Sequence, residues 1–398
     1  MKHNYISLGL LCMVFLTVGS MFCMNDILLP SLIEHFQLNY RQATLIQFTF
    51  YLTYVIFPLP IAWMIHHYGY KVSLVVALLT CSLGCALIIP ARFLDSYLFV
   101  LVAIFTLSTG ITVINVAANP FITLLGDPAG AHIRINFVQV FSRIGYATTP
   151  LVATSIIYKN ASEIRFHFPY MLLAVVIFII AALIAFSRMP ALKAEKEDHF
   201  SLPGLFRGGL RHRHLFFGII AMFFYVGAEA CTAGFFIPYL KAWLGFNETE
   251  AARYLTLYYL FAAGMGLAAV GILKFVRAHL LVGIFGILMI GGYLVCILMN
   301  TGYNHYILAG LGLFLSIMFP TLFSLAIEDT GAFAARGSAL LNFAIIGGSV
   351  FPPIQGMLAD RFGVPISYSV PLLCFVVITL YAFFFTKKSM KQRPIYKT

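Results

Sequence analysis

The sequence predicts an all-α polytopic membrane protein with twelve transmembrane helices in two six-helix, pseudo-symmetric halves. Three observations predict it. The first is composition. Of 398 residues, 61% are hydrophobic and only 10% charged, whereas soluble domains carry about a quarter charged residues. The second is punctuation. Polar breaks leave apolar runs at 6–32, 42–66, 71–91, 97–125, 134–158, 168–188, 214–243, 249–273, 278–300, 304–328, 335–359 and 366–386. Each approaches or exceeds the roughly 20 residues that span a bilayer. The third is an internal repeat. Arg134, Phe141, Ile144-Gly145 and Pro150 of the fifth run recur 202 residues later as Arg336, Phe343, Ile346-Gly347 and Pro352 of the eleventh.

The first run contains Met24-Asn25-Asp26-Ile27-Leu28-Leu29-Pro30. An acid inside a membrane helix costs a few kcal/mol, so Asp26 is a functional candidate by default. The run is long and lacks a small-residue cleavage site, so it is expected to be a spanning helix rather than a signal peptide. The second to fourth runs add Gln47, Asn115 and Asn119, with Pro58, Pro60 and Pro120. Cys81 and Cys85 share a helix face in the third run, but no His or acid accompanies them, so no metal site is expected. All seven cysteines lie within runs, which argues against a disulfide framework.

The fifth run carries Gln139, Ser142 and Arg143. A cation in hydrocarbon needs a partner. Arg143 either balances Asp26 or holds an anionic ligand. The polar stretch 189–213 is read as a cytoplasmic linker between an N-terminal half, 1–188, and a C-terminal half, 214–398. The seventh run holds Tyr225, Glu229 and Thr232, and the eleventh holds Asn342 and Gln355. Carrying nearly the repeat offset from Asp26 lands beside Glu229, although matching Pro30 to Pro238 gives a different register. Trp63 and Trp243 sit near run ends, as interfacial belt residues do. Stacking on a ligand ring would then fall to Tyr51 or Tyr225.

The net charge of +11 is a topology signal and not a nucleic-acid one. Of the 25 Lys and Arg, seventeen fall on one set of segments, seven on the other, and Arg143 within a run. By the positive-inside rule both termini are cytoplasmic. Two glycosylation-type triplets, at Asn160 and Asn247, fall in outer loops, in agreement with that topology but without weight alone.

The ionisable census is sharper. Among fourteen acids only Asp26 and Glu229 lie well inside runs, and all eleven histidines lie in loops or at run ends. A histidine relay is excluded, so a proton-coupled mechanism has to use the two carboxyls. Burial disfavours the charged form of a carboxyl, which suits a group that loads and unloads protons. Parallel repeats with a site at their interface mark a carrier that rocks between inward and outward states. The amides Asn25, Gln47, Asn115, Asn119, Gln139, Asn342 and Gln355, with the hydroxyls Ser142 and Thr232, form a candidate pocket. Amides both donate and accept, which suits a polyhydroxylated ligand.

At these residues the chain resembles the fucose–galactose–glucose:proton symporter family of the major facilitator superfamily, through nearly all of 6–386. The matching segments include Asn25–Pro30, Gln42–Gln47, Gly110–Phe121, Arg134–Asn136 with Gln139, Tyr225–Glu229, Pro320–Leu325 and Gly347-Gly348. The resemblance implies a twelve-helix carrier taking a monosaccharide inward with a proton. Asp26 would carry the proton, Gln139 would line the pocket, and Glu229 matches the Gly-Ala-Glu of the glucose/galactose branch. Asn115 stands where L-fucose symporters have an acid, which weakens fucose as substrate. Arg143 stands where the symporters have neutral side chains, which leaves room for an acidic ligand.

The expected function is therefore secondary transport of a hexose or deoxyhexose with a proton. The partners are the sugar, the proton and the lipid bilayer. Neither cofactor nor metal is expected. A monomer in a bacterial inner membrane is the expected setting. The alternative within transport is a carrier for an organic anion, a sugar acid or carboxylate chelator held by Arg143. A polytopic membrane enzyme is remote, since no loop is long enough to be catalytic and no loop histidine forms an acid-paired motif.

Overall fold

The computed structural model describes residues 2–125, 131–157, 166–187, 189, 213–273, 275–299, 301–328, 330 and 334–385. Among them the chain is helical throughout, with no strand. In lipid every backbone N–H and C=O must be satisfied within the protein, and helices do this locally. Most of the linker expected at 189–213, the Asn160 triplet and residues 386–398 lie outside the described residues.

The first half comprises α1 (Lys2–Phe36), α2 (Tyr40–Ala43), α3 (Leu45–Ile56), α4 (Pro58–Phe93), α5 (Tyr97–Leu124), α6 (Ala131–Ile157) and α7 (His167–Phe186). The second comprises α8 (Arg213–Gly234), α9 (Phe236–Leu244), α10 (Glu248–Ile272), α11 (Ala278–Leu298), α12 (Asn304–Leu315), α13 (Met318–Ile327), α14 (Ala334–Phe343), α15 (Gly347–Phe362), α16 (Val364–Ser367) and α17 (Ser369–Leu380). α4 is two arms meeting at Gly69, whose φ of 78° is open to glycine without Cβ strain. The second and third runs of the sequence therefore share one helical stretch, and the second is broken again at Thr44 and Phe57.

Nine of the described helices are long and apolar enough to cross a membrane. The passes that fall short are the broken second one, α6 and α10. This difference from twelve uniform runs has a physical cause, because the second pass is broken into short helices at Thr44 and Phe57, and polar side chains interrupt the apolar stretch of α6 and of α10. α6 and α10 pack on each other across the two halves. α3 is tied to α5 by buried hydroxyls: Thr53 Oγ1 lies 2.8 Å from Ser108 Oγ and 2.9 Å from Thr112 Oγ1.

The repeat has a packing reason. A Cβ on Gly145 would lie 2.2 Å from Leu16 O, and one on Gly347 would lie 1.8 Å from Phe223 O. Only hydrogen fits either site, so α6 meets α1, and α15 meets α8, backbone to backbone. These contacts fix the register between the first and seventh passes. Gly145 meets Leu16 and Ser20, while Gly347 meets Phe223 and Gly227, a shift of 207 residues in both pairs. Asp26 then corresponds to Ala233 and Glu229 to Phe22. Of the two registers that the sequence leaves open, these contacts fall within about one residue of the Pro30–Pro238 match, and the two acids lie about one helical turn apart.

One end of the bundle is closed across the halves. The Asp360 carboxylate accepts from Tyr40 N at 2.7 Å and Arg41 N at 2.9 Å. Ser349 Oγ donates to Phe48 O at 3.0 Å. Lys241 reaches Glu34 at 4.0 Å and pairs closely with Glu248. Gly356 lets α15 lie against Tyr40 O. At the other end Lys71 Nζ donates to Ser187 O at 2.7 Å within the first half, and His214 Nε2 lies 2.6 Å from Glu328 O within the second.

Candidate functional site

α8 is buried from Tyr225 to Gly234 except at Glu229, which is exposed. It is packed by α13, α15 and α17, and meets α1 of the other half. Glu229 lies close enough to Asp26 and Arg143, both in the first half, to interact with their charges. Its exposure is therefore to a cavity between the halves and not to lipid. Asn342 of α14 is likewise exposed beside a buried Leu341.

Asp26 is 9% exposed. Its Oδ2 accepts from Tyr259 Oη at 2.9 Å, a bond from α10 to α1 across the halves. The Tyr259 ring lies 5.0 Å from Tyr146 on α6, and the Phe22 ring lies 6.0 Å beyond it. Aromatic rings thus lie beside the acid, and the Tyr259 hydroxyl faces it. Sequence reading missed Tyr259. Its only signal was a Tyr258-Tyr259 pair within an apolar run, and such pairs usually serve packing.

Arg143 does not ion-pair with Asp26. Its Nη2 donates to Ser316 O at 3.3 Å, where the tenth pass is interrupted between α12 and α13. Tyr225 Oη donates to Leu315 O at 3.2 Å in the same interruption. Gln139 is one turn before Arg143 on the same face and is half-buried. Ser142 is buried where α6 meets Gly19 of α1.

The amides divide. Asn115 Nδ2 donates to Tyr54 Oη at 2.7 Å. Gln47 is fully buried, its amide against Gly234 of the other half, and neither its Nε2 nor its Oε1 has a protein partner. Asn25 Oδ1 is also buried without a partner. Thr232 is engaged elsewhere: its Oγ1 lies 2.6 Å from Tyr293 Oη and donates to Ala228 O at 2.7 Å. Its hydroxyl is therefore engaged within the second half. The Asn119 side chain lies outside the described residues. Among the described residues no cluster of His, Cys, Asp and Glu could hold a metal ion.

The arrangement places two carboxyls, one guanidinium and several tyrosines at one cavity between two repeated halves. Such a site can move a proton on or off a carboxyl, and it can do so where the halves meet.

The family model of the Major Facilitator Superfamily matches residues 10–351. A glucose/galactose transporter of Brucella abortus is 35% identical over 395 residues, covering 96% of this chain and 94% of that protein. An L-fucose-proton symporter of Escherichia coli is 30% identical over 415 residues, covering 96% and 94%. Among solved structures, the transporter FucP in the outward conformation aligns with a TM-score of 0.70 at 28% identity, over 97% of this chain and 100% of that one. A bacterial homologue of the human lysosomal transporter Spinster, inward-facing and unoccupied, aligns with a TM-score of 0.77 over 96% and 97%. At 14% identity that likeness is one of fold alone.

Proposed function

The chain belongs to the Major Facilitator Superfamily, and from that premise we propose that it is a secondary active transporter taking a monosaccharide across the membrane together with a proton. It is not an enzyme. The relatives that span nearly the whole chain are named for glucose, galactose and L-fucose, and one of them for proton symport.

The observation that carries the coupling is the bond from Tyr259 to Asp26 across the halves. We assign the proton to Asp26. An ionised Asp26 is a strong acceptor for the Tyr259 hydroxyl, and charge-assisted bonds are about twice as strong as neutral ones. A protonated Asp26 needs that donor less. Loading the proton therefore weakens a tie between halves, and releasing it restores the tie. The end bearing Tyr40, Lys241 and Asp360 is assigned to the outside, so this conformation is closed outward and suits a carrier that has released its load inward. Gln47 and Asn25 support the substrate assignment. Buried amide atoms without a protein partner cost free energy, and a ligand rich in hydroxyls offers both donors and acceptors.

The test is uptake into proteoliposomes by the purified full chain. With an inward proton gradient, D-galactose or D-glucose should accumulate above its outside concentration. Collapsing the gradient should leave only equilibration. Accumulation unaffected by collapsing the proton gradient would remove proton symport. Accumulation of neither sugar nor L-fucose would remove the substrate class.

The termini are assigned to the cytoplasm, in a bacterial inner membrane, on the Lys and Arg bias. A phosphatase reporter, active only outside the cytoplasm, should stay silent when fused after Thr398. Activity there would invert the topology.

A further inference from the structure

Arg143 belongs to the first half, yet the contacts of its guanidinium described above are with the second. It donates to Ser316 O. Its Cζ and Nε lie 3.8 Å from where a Cβ on Gly266 of α10 would stand. Its charge reaches Glu229 and Tyr225 on α8. The acceptor is special in kind. α12 ends at Leu315 and α13 starts at Met318, so the carbonyls of the last turn of α12 lack their helical donors. A cation is favoured at such a C-terminus. Tyr225 serves Leu315 O, and Arg143 serves Ser316 O. Glu229, one turn beyond Tyr225 on α8, supplies the negative charge.

From this we infer that Arg143 is a positioning residue, which ties the halves together at mid-membrane by capping the broken tenth pass, with Glu229 as its counter-ion. The inference rests on the chain being an alternating-access carrier and not on the identity of its sugar. It divides the two intramembrane acids. Asp26 bonds a neutral hydroxyl across the halves, and Glu229 lies within electrostatic reach of a cation. Asp26 is free to cycle its proton, whereas Glu229 keeps Arg143 in place. Arg143 then has a partner without any substrate carboxylate, so the site takes a neutral sugar and not a sugar acid.

The test reads conformation and not transport. Ser349 is buried in the outward-closed contact with Phe48, and the seven native cysteines are buried. A Ser349→Cys background, blanked against the wild type, reports outward opening through labelling by an impermeant maleimide. Arg143→Gln in that background should label faster, by about tenfold, the weight of a hydrogen bond to a charged group. Glu229→Gln should accelerate labelling when Arg143 is present and add nothing when it is absent, the non-additivity expected of a coupled pair. Gly266→Leu crowds the guanidinium from the second half and should copy Arg143→Gln. Gly266→Ala should not, since its Cβ makes ordinary contact at 3.8 Å. Unchanged labelling in Arg143→Gln, or additive effects of the two charge substitutions, would overturn the tie. Labelling slowed by D-galacturonate but not by D-galactose, and only with Arg143 present, would replace it with an anion clamp. Both results stand apart from the uptake experiment, so loss of one reading leaves the other measurable.

Discussion

Asp26→Asn should abolish accumulation of sugar against its gradient and spare exchange of sugar already on both sides. Asparagine keeps the shape of a protonated carboxyl and cannot release a proton. Rocking with the site occupied needs no release, so counterflow persists. The return of the empty carrier needs the ionised acid, so net uphill movement stops. The linkage between proton and sugar is reciprocal and typically about 1–3 kcal/mol. With the proton term removed, the steady-state accumulation ratio should fall to one. Paired uphill and counterflow assays on Asp26→Asn and Glu229→Gln decide the matter. Uphill uptake surviving in Asp26→Asn but lost in Glu229→Gln would move the proton to α8. Tyr259→Phe removes the one described donor to Asp26 and should slow uphill uptake several-fold with counterflow intact.

Gly347→Leu and Gly145→Leu should each leave little folded protein. Their Cβ positions lie 1.8 Å from Phe223 O and 2.2 Å from Leu16 O, and backbone atoms cannot swing aside as a side chain can. Overpacking against movable neighbours already costs about 1–3 kcal/mol, and here a whole helix must shift. Gly264→Leu is the control, since nothing lies within 4 Å of its Cβ. Yield and thermal midpoint after detergent extraction should separate the two glycines from the control. Equal behaviour of all three would mean that the close approach of α6 to α1 and of α15 to α8 does not exist. The register that places Asp26 and Glu229 a turn apart would fall with it.

The sequence by itself determined the class, the passes and the inventory of charge. Hydrocarbon tolerates few charges, so twelve apolar runs and three intramembrane ionisable groups could be read without coordinates. Asp26, Glu229 and Arg143 were legible because each is expensive where it stands. The Arg, Phe, Gly and Pro repeat was legible because Gly145 and Gly347 obey the same steric demand. What only the tertiary structure decided is which group each charge faces. Tyr259 lies 233 residues from Asp26 in sequence, and Ser316 lies 173 from Arg143. No spacing rule links residues on different helices, and the acceptor for Arg143 is a backbone carbonyl, which every residue has. Thr232 reads as a pocket hydroxyl, and only the structure shows its bond to Tyr293. The register of the acids was also hidden. The offset of 202 holds for the fifth and eleventh passes, whereas the first and seventh follow 207. Loops change length between repeats without disturbing the packing of helices, so one offset cannot serve a whole half, and backbone contacts decide which residues are level.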